Sequence, residues 1–263
     1  WHVDCGTRGI VVVGTTGESP TVNVDEHATL IEYTVKHVSN RVAVIAGTGA
    51  NSTAEAVELS AHALKVGADM SLSVVPYYNK PNQEGLYQHF CKIAETVDMP
   101  HILYNVPSRT VADLQNETVF KLAEIDNIIG IKDATGDMAR GAELINKTPE
   151  EFVVYSGDDA TFMALMMLGS QGVISVTANV VPKEVQDVCE AVVAGDLKKA
   201  RSLNHQISLL NENLFIEANP IPVKWALKRM GKIQNGIRLP LVDLGEKFHQ
   251  PVLDSLDHAG VKI

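Results

Sequence analysis

The sequence lacks the cysteine patterns that bind zinc or that form the disulfide bonds of small secreted domains. Its 263 residues include three cysteines, Cys5, Cys91 and Cys189, which are odd in number and widely separated, and no CxxC pair occurs. Neither a disulfide framework nor a cysteine-based zinc site is therefore expected. We predict reduced thiols in a cytoplasmic protein.

Positive charge and long apolar runs are also scarce. The formal net charge is −10 and the isoelectric point is about 5.3, which argues against a nucleic-acid or anionic-membrane partner. No apolar run reaches the length of a transmembrane helix, and no cleavable signal precedes the first strand pattern. With 45% hydrophobic and 21% charged residues, the composition is that of a globular protein with a sizeable core.

Metal and nucleotide motifs are missing as well. The nine histidines include no HExxH or similarly close pair, so no metal is implied. A doubly wound sheet that binds a dinucleotide carries GxGxxG after its first strand, and Gly14-Thr15-Thr16-Gly17-Glu18 does not match that pattern. No cofactor is therefore expected.

The chain does contain short apolar runs rich in β-branched residues, each followed by a helical pattern. This alternation predicts parallel βαβ units, and we expect an α/β fold of the TIM (β/α)8 barrel class. The expected strands span residues 9–14, 42–47, 70–76, 101–105, 128–134, 152–157 and 172–176. The expected helices between them span residues 25–37, 52–65, 83–96, 116–124, 138–146 and 160–168.

After residue 176 the pattern changes to successive helices, expected at residues 182–194, 197–214, 222–230 and 246–259. We therefore predict a barrel region, residues 1–180, and a C-terminal helical region, residues 181–263. A closed (β/α)8 barrel needs eight strands, one more than the pattern supplies. Because residues 1–6 are typical of a helix tail closed by a glycine cap, we expect the first strand and most of the first helix to be absent from this chain.

Lys132 interrupts one of the apolar runs, Ile128-Ile129-Gly130-Ile131-Lys132-Asp133-Ala134, near its end. A strand of a parallel sheet is normally a near-continuous hydrophobic run. An unpaired buried ammonium is costly and tends to lose its proton, and a neutral lysine amine forms Schiff bases with carbonyl substrates. The alternative is a lysine that reaches solvent or pairs with Asp133. This stretch alone leaves both interpretations open.

Hydroxyls, phenols and an arginine occupy the other strand ends, where barrel enzymes place their active sites. Tyr104 ends a strand, and its phenol can both donate and accept a proton. Thr15 and Thr16 lie in a glycine-flanked turn whose N–H groups suit a carboxylate, and Arg109 suits a second carboxylate. Each residue taken singly also has an ordinary structural explanation. The threonines could simply form a turn, the tyrosine could pack at the rim of the barrel, and the arginine could pair on the surface. Their occurrence at successive strand ends favours imine chemistry on a small keto acid.

Six motifs together resemble the dihydrodipicolinate synthase family of pyruvate-dependent class I aldolases, which also includes N-acetylneuraminate lyase. The resemblance covers the whole chain. The motifs are Gly14-Thr15-Thr16-Gly17-Glu18-Ser19, Ala46-Gly47-Thr48-Gly49, Pro76-Tyr77-Tyr78-Asn79-Lys80-Pro81, Tyr104-Asn105-Val106-Pro107-Ser108-Arg109-Thr110, Gly130-Ile131-Lys132-Asp133-Ala134-Thr135-Gly136 and Ser156-Gly157-Asp158-Asp159.

The resemblance implies a barrel with a helical C-terminal extension and a lyase of the Schiff-base type. Pyruvate would form an imine with Lys132, and the derived enamine would attack the aldehyde of L-aspartate-4-semialdehyde. The product would be 4-hydroxy-tetrahydrodipicolinate, on the diaminopimelate route of lysine biosynthesis. The family also implies a homo-oligomer, either a dimer or a homotetramer built as a dimer of dimers.

The resemblance further assigns roles to single positions of this sequence. Tyr104, Thr15 and Tyr78 match a proton-relay triad, in which the tyrosine matching Tyr78 reaches into the neighbouring subunit. Thr16 matches the contact to the pyruvate carboxylate, and Arg109 matches the residue that receives the second substrate's carboxylate. The backbone at positions matching Gly157 and Ile174 lines the site. Sialic-acid lyases lack the arginine loop, which favours the synthase.

The family also has an inhibitory site for L-lysine at the dimer interface. Glu55 and His27 are typical of lysine-sensitive members, and a carboxylate at Glu55 suits the cationic end of the ligand. Two departures are Val24, where a histidine often stands, and Pro20, which replaces a small residue. The matching positions in this chain are Ser19, Pro20, His27, Asn51, Glu55 and Tyr77.

Two alternatives remain open at this point. One is a different pyruvate aldolase, such as an N-acetylneuraminate or deoxy-sugar-acid lyase, for which Arg109 would be dispensable. The other is an inactive truncated fragment that binds lysine without closing a barrel. The expected residue type at every candidate catalytic position favours the active synthase.

Overall fold

The computed structural model describes residues 1–263, and its centre is a single seven-stranded sheet in which all neighbouring strands are parallel. The strands follow one another in the order β1 to β7, so each new strand pairs with the one before it. This order is the one that successive βαβ units produce. The strands are β1 (Gly9–Val12), β2 (Ala43–Gly47), β3 (Met70–Val74), β4 (His101–Asn105), β5 (Ile128–Asp133), β6 (Val153–Ser156) and β7 (Gly172–Val173).

Helices follow the strands, and further helices continue beyond the sheet. Short 3-10 turns occur at Thr15–Gly17, Ser19–Thr21, Thr177–Asn179 and Glu246–Phe248. The helices are α1 (Val24–Val38), α2 (Thr53–Lys65), α3 (Gln83–Thr96), α4 (Pro107–Thr110), α5 (Asn116–Leu122), α6 (Met138–Lys147), α7 (Phe162–Leu168), α8 (Pro182–Val193), α9 (Leu197–Asn213), α10 (Ile221–Arg229) and α11 (His249–His258).

These elements confirm every predicted strand and helix, with shifts at their ends. The expected strand at 172–176 is a strand only over Gly172–Val173, and the expected helix at 246–259 is divided into a 3-10 turn and α11. Helix α4 was not predicted, because four residues opened by a proline are too short for a periodic pattern. The expected glycine cap is confirmed, since Gly6 has a φ of 84°.

Side-chain caps begin several helices, which explains why they begin where they do. Asn23 accepts from the N–H of Glu26 while the Glu26 side chain accepts from the N–H of Asn23, a complete capping box before α1. Asn82 and Asp137 cap α3 and α6 in the same way from the side chain. Such caps satisfy helix N–H groups that would otherwise lack a partner.

Apolar side chains cover both faces of the sheet. On the helix-facing side, Leu103 and Ile131 pack into a large cluster with residues of α2, α3, α5 and α6. On the other side, Ile102 and Tyr104 pack with residues of the neighbouring strands. Sheets covered on both faces are typical of parallel α/β proteins, and they explain the continuous apolar runs in the sequence.

The chain forms two compact units. One comprises residues 8–14 and 23–174 and contains the whole sheet; the other comprises residues 1–7, 15–22 and 175–263. The sheet has seven strands, β1 to β7, and the expectation that a first strand is absent is not confirmed. None of the helices has the length and apolar character needed to cross a membrane.

Candidate active site

Lys132 lies near the carboxyl end of β5, directly opposite Tyr104 on β4. Its side chain is half-buried, and its Nζ lies 4.3 Å from the centroid of the Tyr104 ring. This distance is within the range of a cation–π contact. Tyr104 is buried in the apolar cluster on the same face of the sheet. The structure therefore brings the candidate nucleophile and one candidate proton carrier together.

Asp133 points to the opposite face, because side chains alternate along a strand. It is 3% exposed, and its Oδ2 accepts a hydrogen bond of 2.6 Å from the Thr135 hydroxyl. Its second oxygen lies 3.9 Å from Nε of Arg140. The alternative in which Lys132 pairs with Asp133 is therefore wrong: the charged partner of Asp133 is Arg140.

Gly157 follows β6 and lies against the Lys132 side chain. Its N–H donates to the carbonyl of Asp133 at 2.7 Å. A Cβ atom at this position would lie 2.8 Å from Cε of Lys132 and 2.7 Å from Cβ of Ala134. Real Cβ atoms do not approach neighbours so closely, so only glycine leaves space for the lysine. Ile174 packs on the same face as Tyr104, and its N–H donates to Ser156.

Tyr78 and Arg109 lie on exposed segments that follow β3 and β4. Tyr78 is 88% exposed and has a φ of 75°, which is unusual for a residue with a side chain. Arg109 is exposed within α4, and its N–H donates to the carbonyl of Val106 at 2.9 Å. Both segments follow neighbouring strands at the same edge of the sheet.

Thr15 and Thr16 belong to the other compact unit, where the C-terminal region holds their turn. The Thr16 hydroxyl accepts from Nδ2 of Asn219 at 3.1 Å. Glu18 pairs with Lys224, and its other oxygen accepts from the N–H of Arg238 at 2.8 Å. Burial alone would raise the pKa of Glu18, but the Arg238 N–H and the Lys224 ammonium together hold it below its usual value.

Three of the six residues matched to lysine inhibition interact electrostatically. His27 is buried, and its Nε2 donates to the carbonyl of Gly47 at 2.7 Å. Burial lowers the pKa of His27, and the nearby Glu55 carboxylate partly opposes that shift. Burial also raises the pKa of Tyr77, with a further contribution from Glu55. Glu55 itself is exposed.

The other three matched residues are placed differently. The carbonyl of Asn51 accepts from Nδ2 of Asn79 at 2.8 Å, two positions beyond Tyr77. Ser19 and Pro20 lie in the 3-10 turn Ser19–Thr21, which belongs to the other unit. Val24, the departure noted from the sequence, is 64% exposed at the start of α1.

The sequence reasoning missed the polar residues that support β4 and β5 from the helix side. Asn105 is completely buried, and its Nδ2 donates to Oδ1 of Asp113 at 2.9 Å. Arg140 donates to the other oxygen of Asp113 at 2.9 Å. An asparagine at the end of an otherwise apolar strand is a signal that could have identified this network. No group of three or more histidine, cysteine, aspartate or glutamate residues is placed to bind a metal ion.

An amine that is partly removed from water and lies beside a phenol ring is suited to imine formation. The amine can add to a carbonyl carbon, and the phenol can exchange protons with the adduct. The same strand places no carboxylate on that face, since Asp133 points away. The geometry therefore supports nucleophilic catalysis by lysine.

Comparisons with known proteins agree with this chemistry. The model of the dihydrodipicolinate synthetase family matches residues 1–259. The 4-hydroxy-tetrahydrodipicolinate synthase of Nitrosospira multiformis is 60% identical over 263 residues, which cover 100% of this chain and 88% of that protein. The corresponding protein of Azoarcus sp. is 59% identical over 262 residues, or 100% of this chain and 90% of that protein.

Solved structures give the same result for the fold. The chloride-inhibited dihydrodipicolinate synthase of Acinetobacter baumannii, complexed with pyruvate, has a TM-score of 0.98 and 53% identity, covering 100% of this chain and 90% of that one. The enzyme of Cyanidioschyzon merolae with lysine bound has a TM-score of 0.96 and 39% identity, covering 99% and 89%. The predicted barrel class with a C-terminal helical extension is thereby confirmed.

Proposed function

This chain belongs to the dihydrodipicolinate synthetase family, and from that premise we propose that it condenses pyruvate with L-aspartate-4-semialdehyde. The product is 4-hydroxy-tetrahydrodipicolinate, an intermediate of lysine biosynthesis through diaminopimelate. The enzyme is a lyase of the Schiff-base, class I aldolase type. The observation that carries the proposal is the half-buried Lys132 side chain, whose amine lies beside the Tyr104 ring and whose Cε packs where Gly157 has no Cβ.

In the first half of the reaction, the Lys132 amine adds to the ketone carbon of pyruvate. The carbinolamine loses water to give an iminium ion, and a proton leaves the methyl carbon to give the enamine. Tyr104, Thr15 and Tyr78 carry these protons in the proposed assignment. Thr16 holds the pyruvate carboxylate, and the backbone at Gly157 and Ile174 lines the site.

In the second half, the enamine carbon attacks the aldehyde of the semialdehyde and forms the new carbon–carbon bond. The amino group of that substrate then displaces Lys132 from the imine carbon, which closes the ring and regenerates the free lysine. Arg109 receives the carboxylate of the semialdehyde. A guanidinium suits this role because it donates two parallel hydrogen bonds to a carboxylate.

We also propose that L-lysine inhibits the enzyme, at a site that includes His27, Asn51, Glu55 and Tyr77, together with Ser19 and Pro20. A structural relative from Cyanidioschyzon merolae is described with lysine bound. Glu55 and Tyr77 are both exposed, so the Glu55 carboxylate is free to bind a ligand ammonium group and the Tyr77 phenol is accessible to the same ligand.

A homo-oligomer, as a dimer or a dimer of dimers, and a cytoplasmic location complete the proposal. Tyr78 is 88% exposed, which is the position of a side chain that would serve a neighbouring subunit. Free thiols at Cys5, Cys91 and Cys189 would be kept reduced in the cytoplasm. The division into a barrel region of residues 1–180 and a helical region of residues 181–263 is likewise part of the proposal.

The direct test is product formation by the purified chain from both substrates, followed by mass spectrometry. We expect Arg109→Ala to lower kcat/KM for the semialdehyde by about 100-fold, because two charge-assisted hydrogen bonds are lost. Arg201→Ala is the control, since Arg201 is an exposed arginine of α9 whose Nε donates only within its own helix. Cleavage of N-acetylneuraminate without any condensation, or full turnover by Arg109→Ala, would contradict the proposal.

A further inference from the structure

Arg140 connects two parts of the proposed active site without contacting the candidate nucleophile. Its side chain is 15% exposed, on α6. One guanidinium nitrogen donates to Asp113 at 2.9 Å, and the other donates to the carbonyl of Leu114. Its Nε lies 3.9 Å from the buried carboxylate of Asp133. One side chain therefore bonds the end of the segment that carries Arg109 and lies within ion-pair distance of the residue that follows Lys132.

The segment from Asn105 to Leu114 is closed at its base by the Asn105 side chain. Oδ1 of Asn105 accepts from the N–H of Leu114 at 3.0 Å, and its Nδ2 donates to Asp113 at 2.9 Å. Within the segment, the Thr110 hydroxyl donates to the carbonyl of Ala112 at 2.7 Å. The position of Arg109 is therefore fixed by contacts at the base of the segment, where Arg140 also binds.

The strand ends are tied into the same network through their backbones. The N–H of Ala134 donates to the carbonyl of Asn105 at 2.9 Å, and the N–H of Gly157 donates to the carbonyl of Asp133 at 2.7 Å. These strand bonds and the Thr135 hydroxyl hold the Lys132 strand end without Arg140, so a change at Arg140 shifts the Arg109 segment relative to that strand. Burial raises the pKa of Asp133, so the ionised carboxylate depends on the nearby donors, Thr135 first among them.

We propose that Arg140 is a positioning residue that sets the distance between the Arg109 segment and the Lys132 strand, by bridging Asp113 and Asp133. The inference rests on the proposed condensation. Arg140 does not contact the substrate, so its effect is on where the second substrate is held when the enamine attacks. A misplacement of about 1 Å costs on the order of 100-fold in rate, even when it originates far from the reacting atoms.

The test measures the two halves of the reaction separately in variants of this network. Imine formation is followed by borohydride trapping with pyruvate alone, and condensation is followed with both substrates. We expect Arg140→Lys to retain imine formation within about threefold and to lose about 10- to 100-fold in kcat/KM for the semialdehyde. A lysine keeps the charge but cannot donate to Asp113 and the Leu114 carbonyl from one planar group while staying close to Asp133.

Asp113→Asn provides a second variant that is expected to fold, because the Asp113 side chain is 43% exposed. It should also retain imine formation and lose kcat/KM for the semialdehyde, with a smaller loss than in Arg140→Lys. Lys147→Met is the control: Lys147 is on the same helix, and its ion pair with Glu143 is exposed. We expect this control to leave both halves unchanged.

The outcomes separate this inference from the proposed function. If the unaltered protein forms no imine, the proposed function fails first. If the unaltered protein is active and Arg140→Lys matches it in kcat/KM for the semialdehyde, the positioning role is wrong. Equal losses in imine formation and condensation by both variants would also overturn it, since they would indicate a general loss of structure.

Discussion

The ends of β4 and β5 and the region around Glu55 differ in how their polar groups are held. At β4 and β5, Asn105 and Asp133 are buried and fixed by side chains and backbone from several elements. Around Glu55, the carboxylate is exposed and acts on His27 and Tyr77 through its charge. The first arrangement is preorganised for chemistry, whereas the second leaves groups accessible to a ligand.

This difference indicates where substitution should be costly. A buried polar network leaves an unpaired group behind when one member is removed, whereas an exposed carboxylate returns to water. Changes at the ends of β4 and β5, where Lys132 lies, should therefore lower the catalytic rate strongly. Changes in the region around Glu55 should alter the response to a ligand and leave the catalytic rate nearly unchanged.

The largest expected effect is at Lys132. Lys132→Arg keeps a positive charge near the Tyr104 ring but removes the primary amine that forms an imine, so we expect turnover to fall at least about a thousandfold. Steady-state assays with both substrates measure this loss. Lys121→Arg, a change of the same type in α5, serves as the control. Substantial turnover by Lys132→Arg would show that Lys132 is not the catalytic nucleophile.

Gly157→Ala should have the next largest effect. The added Cβ would lie 2.8 Å from Cε of Lys132, so the lysine must move. We expect imine formation to fall by about 100-fold, because the amine leaves its position for attack. Rapid-mixing measurements of pyruvate binding and trapping test the expectation. Gly236→Ala is the matched control, since a Cβ there meets no atom within 4 Å. Normal rates for Gly157→Ala would show that the close approach has no functional consequence.

A third prediction concerns stability in acid and the buried residue His89 of α3. Burial lowers the pKa of His89 to about 4. The unfolded chain then binds the proton more readily, so stability is present near neutral pH and is lost as the pH falls from about 6.5 towards 4. We expect protonation of this residue to lower the free energy of unfolding by about 2 kcal/mol between pH 7 and pH 5. His27 and His101 act in the same direction, because their pKa values are also lowered by burial.

Urea unfolding of the protein and of His89→Gln at both pH values measures this contribution. The variant should lose less stability than the unaltered protein on going to pH 5. His205→Gln, at an exposed position of α9, is the control and should leave the pH dependence unchanged. An identical pH dependence in His89→Gln and the unaltered protein would contradict the assignment.

The smallest effect is expected at Glu55. Glu55→Gln removes the charge proposed to bind the ammonium group of L-lysine, and we expect inhibition to weaken by about tenfold, with uninhibited turnover within about twofold. Inhibition curves with L-lysine provide the measurement. Glu58→Gln changes an exposed glutamate on the same helix and should leave inhibition intact. Unchanged inhibition in Glu55→Gln would place the effector elsewhere.

Much of the fold could be predicted because its information is local. The apolar runs and capping residues identify the strands and helices, and the charge at Lys132 stands out because it ends such a run. The direction of Asp133 also follows from strand alternation, although the pattern left its pairing open. Helix α4 was not predicted because four residues are too few to show a helical repeat of apolar positions. Strand β7 is shorter than the apolar run that predicted it.

The network of Arg140 could not be predicted from the sequence. Its partners Asp113, Leu114 and Asp133 come from two other segments, and only the packing of α6 against the sheet and α5 brings them together. An arginine in a helix is ordinary in sequence. Its role is visible only once the burial of its partners is known.

Borohydride trapping with pyruvate, followed by peptide mass spectrometry, tests the central claim most directly. We predict a carboxyethyl adduct on Lys132 that forms in the folded protein and is absent from Lys132→Arg. An adduct on another lysine, or none on a protein that is shown to be folded, would contradict the assignment of Lys132 as the nucleophile.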